Sequence, residues 1–258
     1  MNNIHPTAIV SGKARLGDNI TISPYAIIED DVEIGNDCEI GPNAVIYNGA
    51  RISDRVIIKQ GAAVSNVSQD LKYAGEEAYF YIGEDTVIRE FVTLHKGTKK
   101  TGFSKVGKNC LLMACSHVAH DAVVGDNCVI ANAVLIAGHT VIEDYVIIGG
   151  ITGVHQFCKV GQHSIIGGVF RIVKDVPPYV MAGSEPLKYA GLNSIGLRRR
   201  GFSNDDIMTL KKTYDLLYNS GLNFSQAKER IKEELGKHNL VQNVIKFLDS
   251  CTRGIIGK

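Results

Sequence analysis

The sequence contains no tryptophan, only six prolines, and no cysteine pair in CxxC spacing. Its six cysteines therefore indicate neither a zinc site built on such pairs nor a disulfide framework. No apolar run reaches the roughly 20 residues that a membrane-spanning helix needs. The first residues also lack the basic start and apolar core of a signal peptide. These absences predict a cytoplasmic protein without a transmembrane segment.

Charge of one sign does not dominate either, since 28 Lys and Arg residues stand against 27 Asp and Glu in a chain of 258 residues. Such a balance creates no global field that would attract nucleic acid or a membrane surface. No nucleic-acid partner is therefore predicted, and an anionic partner would have to bind a local basic patch.

The sequence is instead rich in a repeat of period six. An aliphatic residue recurs at every sixth position from Ile4 to Val64, and the same phase resumes at Ile82 and continues to Ile172. A second register, four residues later, carries mostly small or β-branched residues. A period of six fits neither an amphipathic helix nor a simple alternating strand. It predicts short strands joined by turns and wound into a triangular coil of stacked parallel sheets.

Departures from this period predict the organisation of the chain. Residues 66–79 and 99–105 interrupt it and should protrude as loops, which on a regular solenoid usually serve binding. From about residue 186 the period ends, and a capping-box-like start at Ser203 introduces amphipathic helices. We therefore expect a parallel β-helix over 1–185 and a small helical domain over 186–258. The small inward register also holds four cysteines, which are predicted to fill the core: Cys38, Cys110, Cys128 and Cys158.

The histidines near residue 120 avoid both inward registers and should point out of the coil. If one coil takes 18 residues, Gly138 stacks on His120, Gln156 on Gly138, and His139 on Asp121, with strands about 4.8 Å apart. Because glycine has no side chain, a neighbouring imidazole or a ligand can approach the glycine backbone closely. Half of the chain's eight histidines should gather on this wall: His117, His120, His139 and His155.

Three other interpretations of these histidines are open. They could be solvated surface residues on a rigid solenoid. They could bind zinc, as histidines on neighbouring coils do in β-helical carbonic anhydrases, but the His-x-x-His spacing does not match that ligand pattern, and no metal is predicted. The chain could also be a non-catalytic scaffold, whose outward positions would be uniform. Here the outward positions are irregular where the histidines gather, which favours an enzyme.

Several motifs carry a resemblance to a known family. They are His117-Val118-Ala119-His120-Asp121, Ala137-Gly138-His139, Val154-His155-Gln156-Phe157-Cys158, Asp175-Val176-Pro177-Pro178-Tyr179, Gln69-Asp70-Leu71-Lys72, and the segment from Gly191 to Ser203. Together they make the sequence resemble, over nearly its whole length, the acyl-ACP:UDP-N-acetylglucosamine O-acyltransferases, which are hexapeptide-repeat enzymes with a left-handed parallel β-helix.

The resemblance implies transfer of a 3-hydroxyacyl chain from acyl carrier protein to the 3-position of UDP-N-acetylglucosamine, the first step of lipid A synthesis. It also implies a homotrimer with active sites between subunits and no metal or organic cofactor. A sibling N-acyltransferase, which catalyses the next acylation, has an additional N-terminal uridine-binding domain, whereas here the hexapeptides begin at Ile4. Whether the acceptor sugar carries a 3-hydroxyl or a 3-amine stays open.

The same resemblance assigns roles to residues. His120 would be the general base, with Asp121 as its orienting partner and the backbone N–H of Gly138 as the oxyanion donor. Contacts to the acceptor would come from Gln69, Asp70, Lys72, His117, His139, His155, Gln156, Asn193, Arg199 and Arg200. Met113, Ile165 and Gly168 would line the acyl groove and set the length of the acyl chain that it accepts. Because glycine leaves space in the groove, a long acyl chain is predicted. The chain departs from the family pattern at Ser184-Glu185 and at Ile195, so uridine contacts are not carried over to those positions.

Overall fold

The computed structural model describes residues 1–258, which form 28 short strands followed by four helices. In chain order the strands are β1 (Asn3–Ile4), β2 (Ile9–Val10), β3 (Arg15–Leu16), β4 (Thr21–Ile22), β5 (Ile27–Ile28), β6 (Val32–Ile34), β7 (Glu39–Ile40), β8 (Val45–Ile46), β9 (Ala50–Ile52), β10 (Ile57–Ile58), β11 (Ala63–Asn66), β12 (Tyr79–Ile82), β13 (Val87–Ile88), β14 (Thr93–His95), β15 (Phe103–Val106), β16 (Leu111–Leu112), β17 (His117–Val118), β18 (Val123–Val124), β19 (Val129–Ile130), β20 (Leu135–Ile136), β21 (Val141–Ile142), β22 (Ile147–Ile148), β23 (Gly153–Val154), β24 (Lys159–Val160), β25 (Ile165–Ile166), β26 (Arg171–Ile172), β27 (Val180–Gly183) and β28 (Lys188–Leu192). The helices are α1 (Ser194–Arg199), α2 (Asn204–Asn219), α3 (Phe224–Leu235) and α4 (Asn239–Ser250).

Every third strand joins the same sheet, so the chain winds through three parallel sheets in turn. Sheet A runs from β1 through β4 and β7 to β25, β27 and β28; sheet B runs from β2 to β26; and sheet C runs from β3 to β24. Away from the loops, paired residues lie 18 apart, as in Val118 with Ile136 and Ile136 with Val154. The predicted parallel β-helix is confirmed.

The two inward registers fill the coil. In β19 and β22 the second residues, Ile130 and Ile148, are fully buried, whereas Val129 and Ile147 beside them lie on the outer face. The same alternation recurs along the coil and explains the period of six residues. Each period consists of a two-residue strand followed by a corner, after which the next aliphatic side chain again points inward. Four cysteines are buried in the small register, as predicted: Cys38, Cys110, Cys128 and Cys158.

Each coil turns three corners, and most of them pass through a residue with φ near +60°. Ile151 (φ 58°) turns the corner between sheets A and B, Asp121 (φ 58°) the corner between B and C, and His163 (φ 59°) the corner between C and A. We call these corners A–B, B–C and C–A. Residues with side chains adopt this conformation at a cost, which the stacked hydrogen bonds of neighbouring coils offset.

Both insertions leave the coil at corner B–C. The first loop spans 67–78, between β11 and β12, and the second spans 96–102, between β14 and β15. The second loop therefore begins and ends three residues earlier than the predicted 99–105. The reason is that Phe103, Ser104 and Lys105 pair with Tyr79, Phe80 and Tyr81 and extend β15, although they precede the next inward aliphatic residue.

The C-terminal segment begins with a strand. Lys188–Leu192 lies inside the segment predicted to be helical, but it folds back as β28 and pairs antiparallel with β27. The helices start at Ser194, and the capping box predicted at Ser203 is formed with Asp206. The hydroxyl of Tyr214 in α2 donates a hydrogen bond of 2.5 Å to the carbonyl of Pro178, which ties the helices to the coil. No helix in the structure combines the length and apolar character that crossing a membrane requires.

Candidate active site

A histidine–aspartate pair lies at corner B–C. The Nδ1 atom of His120 is 2.8 Å from Oδ2 of Asp121, whose side chain is fully buried. A carboxylate only accepts hydrogen bonds, so in the neutral ring Nδ1 carries the proton and Nε2 keeps its lone pair. His120 thus faces its surroundings with the nitrogen that can accept a proton.

Asp121 remains ionised despite its burial. Burial alone would raise the pKa of its carboxyl, but hydrogen bonds from Thr101, from the backbone N–H and hydroxyl of Thr98, and from His120 outweigh this effect and lower the pKa. The Thr98 N–H donates to Oδ1 over 2.9 Å, and its hydroxyl donates to Oδ2 over 3.0 Å. Both threonines belong to the second loop, so this loop supplies much of the environment of the pair.

Gly138 stacks on His120, as its spacing of 18 predicts. A methyl group on its Cα would lie 2.5 Å from Cε1 and 2.6 Å from Nε2 of the His120 ring, closer than any real contact. Its φ lies outside the left-handed region, so the imidazole, not the backbone, requires glycine here. The Gly138 N–H donates to no group of the chain, and it is free to bind an oxygen of a ligand.

His139 occupies the next corner above Asp121. Its ring stacks on Phe157 with centroids 4.8 Å apart and an interplanar angle of 2°, and its Nε2 is 3.6 Å from Asp121 Oδ2. Burial, assisted by the charge of Lys100, lowers the pKa of His139 against the opposing pull of Asp121. The ring is therefore less readily protonated, and its stacking on Phe157 orients it near the pair.

His117 and a histidine not predicted from the sequence, His95, form a second pair. Their rings are 5.0 Å apart, His117 shares a hydrogen bond of 2.8 Å with Thr93, and His95 shares one of 2.7 Å with the carbonyl of Val67. Burial, together with His95 and His120, lowers the pKa of His117 to about 4. The repeat places His95 at an outward position. The second loop, however, increases the offset between the paired strands from 18 to 24 residues, so the contact between His95 and His117 could not be predicted from the repeat.

Two cavities adjoin the pair. A groove of about 530 Å³ runs over sheet B and is lined by His120 and Gly138 together with Gln69, His117, His155, Gln156 and Arg171. A cavity of about 470 Å³ under the loops is lined by Asp70, Lys72, Lys100, His139 and Gln156. Because Gln156 lines both, the two cavities are neighbours. Every predicted contact residue from Gln69 to Gln156 lies in one of them.

Side chains from three separate elements converge here. Ligand atoms of Asp70, His120 and His139 all lie within 4.8 Å of one another, so these are the residues of the site that could hold a divalent cation. Asp70 also accepts a hydrogen bond of 2.9 Å from the N–H of Lys72, which fixes its carboxylate. The same convergence presents two imidazoles and a carboxylate to a polar substrate group.

Two predicted groups of residues lie elsewhere on the chain. Asn193 and Arg200 are at corner C–A, where the Asn193 amide donates to the carbonyl of His163 over 2.9 Å and the Arg200 guanidinium lies 5.3 Å from the ring of Tyr145. The predicted groove residues lie on sheet A or at corner A–B: Met113, Ile165 and Gly168. A whole sheet separates each of these corners from corner B–C, so a single chain does not bring these residues to His120.

Comparisons with known proteins agree with this fold. A family model described as Bacterial transferase hexapeptide (six repeats) matches residues 31–66 and 103–138, and one described as Udp N-acetylglucosamine O-acyltransferase, Domain 2, matches 175–256. The acyl-(acyl-carrier-protein)–UDP-N-acetylglucosamine O-acyltransferase of Chlorobaculum parvum is 53% identical over 255 residues, covering 98% of this chain and 97% of that protein. The enzyme of the same name from Syntrophobacter fumaroxidans is 42% identical, covering 98% and 99%.

Solved structures give the same result. The UDP-N-acetylglucosamine acyltransferase of Francisella novicida is 34% identical with a TM-score of 0.97, covering 99% of this chain and 94% of that chain. The one from Bacteroides fragilis is 42% identical with a TM-score of 0.95, covering 98% and 99%. The hexapeptide coil and these relatives together define an acyltransferase of the hexapeptide-repeat class. Within that class, the chain belongs to the acyl-(acyl-carrier-protein)–UDP-N-acetylglucosamine O-acyltransferase family.

Proposed function

We propose that this chain transfers a 3-hydroxyacyl group from acyl carrier protein to the 3-position of UDP-N-acetylglucosamine, the first step of lipid A synthesis, with His120 as general base. One observation carries the proposal: Nδ1 of His120 is held by a buried carboxylate, so Nε2 is free beside the Gly138 backbone at the edge of an apolar groove. Family membership supplies the substrates, because the relatives are named for them.

The reaction needs one proton acceptor and one oxyanion donor. A sugar hydroxyl is a weak nucleophile at neutral pH, so Nε2 of His120 takes its proton as the oxygen attacks the thioester carbonyl. Asp121 stabilises the imidazolium that forms. The tetrahedral oxyanion accepts a hydrogen bond from the free N–H of Gly138, an interaction typically worth about 3 kcal/mol. Collapse then breaks the carbon–sulfur bond, and the imidazolium returns the proton to the departing thiolate of the carrier.

The two cavities suit the two halves of the reaction. The groove over sheet B has an apolar floor in which Leu135 is 55% exposed and Gly153 leaves an open notch, since nothing lies within 4 Å of a methyl group placed there. This surface fits a long acyl chain. The cavity under the loops offers Asp70, Lys72 and His139, which suit sugar hydroxyls and phosphate.

A homotrimer would complete the site. From β10 onwards the outward row of sheet A is apolar, and corner A–B exposes large apolar side chains, among them Phe91 (59%), Ile151 (68%) and Val169 (68%). Exposed apolar surface of this extent is typical of subunit interfaces. This apolar part of the row consists of Ile57, Val87, Leu111, Val129, Ile147, Ile165 and Met181. Three A–B corners meeting on one axis would pack sheet A of each subunit against sheet B of the next.

This arrangement also explains the separated residues. With sheet A packed on the neighbour's sheet B, corner C–A of one subunit lies beside corner B–C of the next. Asn193, Arg199 and Arg200 would then reach the nucleotide bound at the neighbour's His120, and arginine forks suit its phosphates. Ile165 would likewise face the neighbour's acyl groove.

Mixed trimers test the shared site. When His120→Ala and Arg200→Ala chains are co-expressed and co-purified through two different tags, every recovered trimer contains both chains, so about one site in three should have both residues intact. Acyl transfer should therefore exceed the mean of the two separate variants several-fold, because each variant supplies what the other lacks. If the mixed trimers are no faster than that mean, the two residues do not act across subunits.

The reaction itself is tested with purified chain, UDP-N-acetylglucosamine and a chain-length series of 3-hydroxyacyl carrier proteins. We expect an ester product with long donors, detected by mass spectrometry and cleaved by hydroxylamine. The 3-amino analogue of the acceptor is assayed in parallel, since an amide product would resist hydroxylamine. A folded protein that acylates neither acceptor would contradict the proposal, and a preference for short donors would contradict the long groove.

A further inference from the structure

The second loop, residues 96–102, holds the buried carboxylate of the catalytic pair. We infer that Thr98 is a positioning residue for catalysis, which acts through Asp121 to keep His120 in the proton-accepting form. The inference rests on the function proposed above and adds to it a residue that does not touch substrate at the reacting atoms.

Thr98 makes two kinds of hydrogen bond to the same carboxylate. Its N–H donates to Oδ1 of Asp121 over 2.9 Å, and its hydroxyl lies 3.0 Å from Oδ2 and 3.3 Å from Oδ1. Thr98 is 6% exposed and the Asp121 side chain is fully buried, so little water competes for these bonds. Charge-assisted bonds in such surroundings are stronger than ordinary ones.

The hydroxyl of Thr98 has no other acceptor to serve. The N–H of Lys100 donates to its oxygen over 3.3 Å, which leaves the hydroxyl proton for Asp121. Thr101 is different, because its single proton can go either to Asp121 or to the carbonyl of Phe103, 2.8 Å away. Thr98 is therefore the side chain in this loop whose donation to the carboxylate is unambiguous.

The loop is anchored on both sides of Thr98. Lys96 donates from Nζ to the carbonyl of Asn48 over 2.7 Å, and the N–H of Lys99 donates to the carboxylate of Glu76 over 3.0 Å. Gly97 has no room for a side chain, since a methyl group there would lie 2.5 Å from the backbone nitrogen of Phe103. These contacts fix the direction in which the N–H and hydroxyl of Thr98 point, so the loop holds the Asp121 carboxylate in one orientation.

Removal of the hydroxyl has a defined consequence. Two titratable groups face Asp121, His120 at 2.8 Å and His139 at 3.6 Å, and Asp70 and Lys100 act on His139 in turn. With one donor fewer, the Asp121 anion is less stabilised. The carboxylate is also free to turn from His120 towards His139. Both changes reduce the fraction of chains in which Nε2 of His120 is the base.

The test compares Thr98→Val, which keeps the shape and loses the hydroxyl, with Thr98→Ser, which keeps the hydroxyl. We expect the valine variant to lower kcat about tenfold and to leave KM for the sugar nucleotide within about twofold. The serine variant should recover most of kcat.

A double-mutant cycle with Asp121→Asn shows whether Thr98 acts through Asp121. On that background Thr98→Val should cause no further loss. A KM for the sugar nucleotide that rises as kcat falls, a serine variant as slow as the valine variant, or losses that multiply in the double variant would each overturn the inference. If Thr98→Val does not fold, as judged by its unfolding temperature, Thr98→Ala is measured in the same way. An inactive wild-type chain would instead reject the proposed function.

Discussion

Replacement of His120 by alanine should lower the rate of acyl transfer by roughly a thousandfold while leaving the fold intact, because a positioned general base typically contributes a factor of about 100 to 10,000. The ring is only 9% exposed, but it sits at a corner and lies outside the hydrophobic core, so its loss leaves the packing of the coil interior in place. Single-turnover rates with saturating acceptor would isolate the chemical step from binding.

The matched control is His5→Ala, an exposed histidine of the first coil whose Nδ1 contacts only its neighbour Thr7. It should retain the wild-type rate. Partial recovery of His120→Ala by added imidazole would further support a proton-transfer role. A rate for His120→Ala within tenfold of wild type, in a correctly assembled protein, would remove this residue from the mechanism.

Gly138→Ala should be nearly as damaging, although the substitution adds a single methyl group. That group would stand 2.5 Å from the His120 ring, so the ring must turn away from the position that Asp121 holds. Misplacement of a catalytic group by about 1 Å can cost a factor of about 100, and the methyl group also narrows access to the N–H of residue 138. We expect kcat to fall at least about a hundredfold, with an unchanged unfolding temperature.

Gly12→Ala provides the control, since nothing lies within 4 Å of a methyl group at that position and its φ is not left-handed. On a His120→Ala background, Gly138→Ala should lose much of its effect, because the ring that it displaces is gone. A wild-type rate for the Gly138→Ala single variant would mean that catalysis does not require the His120 ring in its observed position.

Periodicity predicted the coil and the neighbours of His120, but not the contacts made by inserted residues. Stacking of Gly138 on His120 follows from a fixed offset of 18, which the sheets impose on every residue in the regular coils. Thr98 reaches Asp121 across 23 residues along a loop of seven, and no repeat fixes the path of such a loop. The strand β28 escaped prediction for a related reason, since its antiparallel partner β27 is set by a hairpin and not by the sixfold period.

The position of Asn193 and Arg200 could not be predicted from the sequence. They belong to a different motif of the family from His120, and they occupy a different corner of the coil. The resemblance implies that they contact the nucleotide, but it does not say which subunit of the proposed trimer makes the contact. In that proposal, the apolar outward residues of sheet A indicate which face is covered.

The constant offset between coils limits how this chain can change length. Loss or gain of one residue between Asp121 and Gly138 would rotate every later side chain by one position, exchange interior for exterior, and separate His120 from its backbone neighbour. Insertion of a complete turn above the site would instead preserve the phase of everything beyond it. Length variation among descendants of such a protein should therefore occur in whole turns of the coil or in the loops at corner B–C.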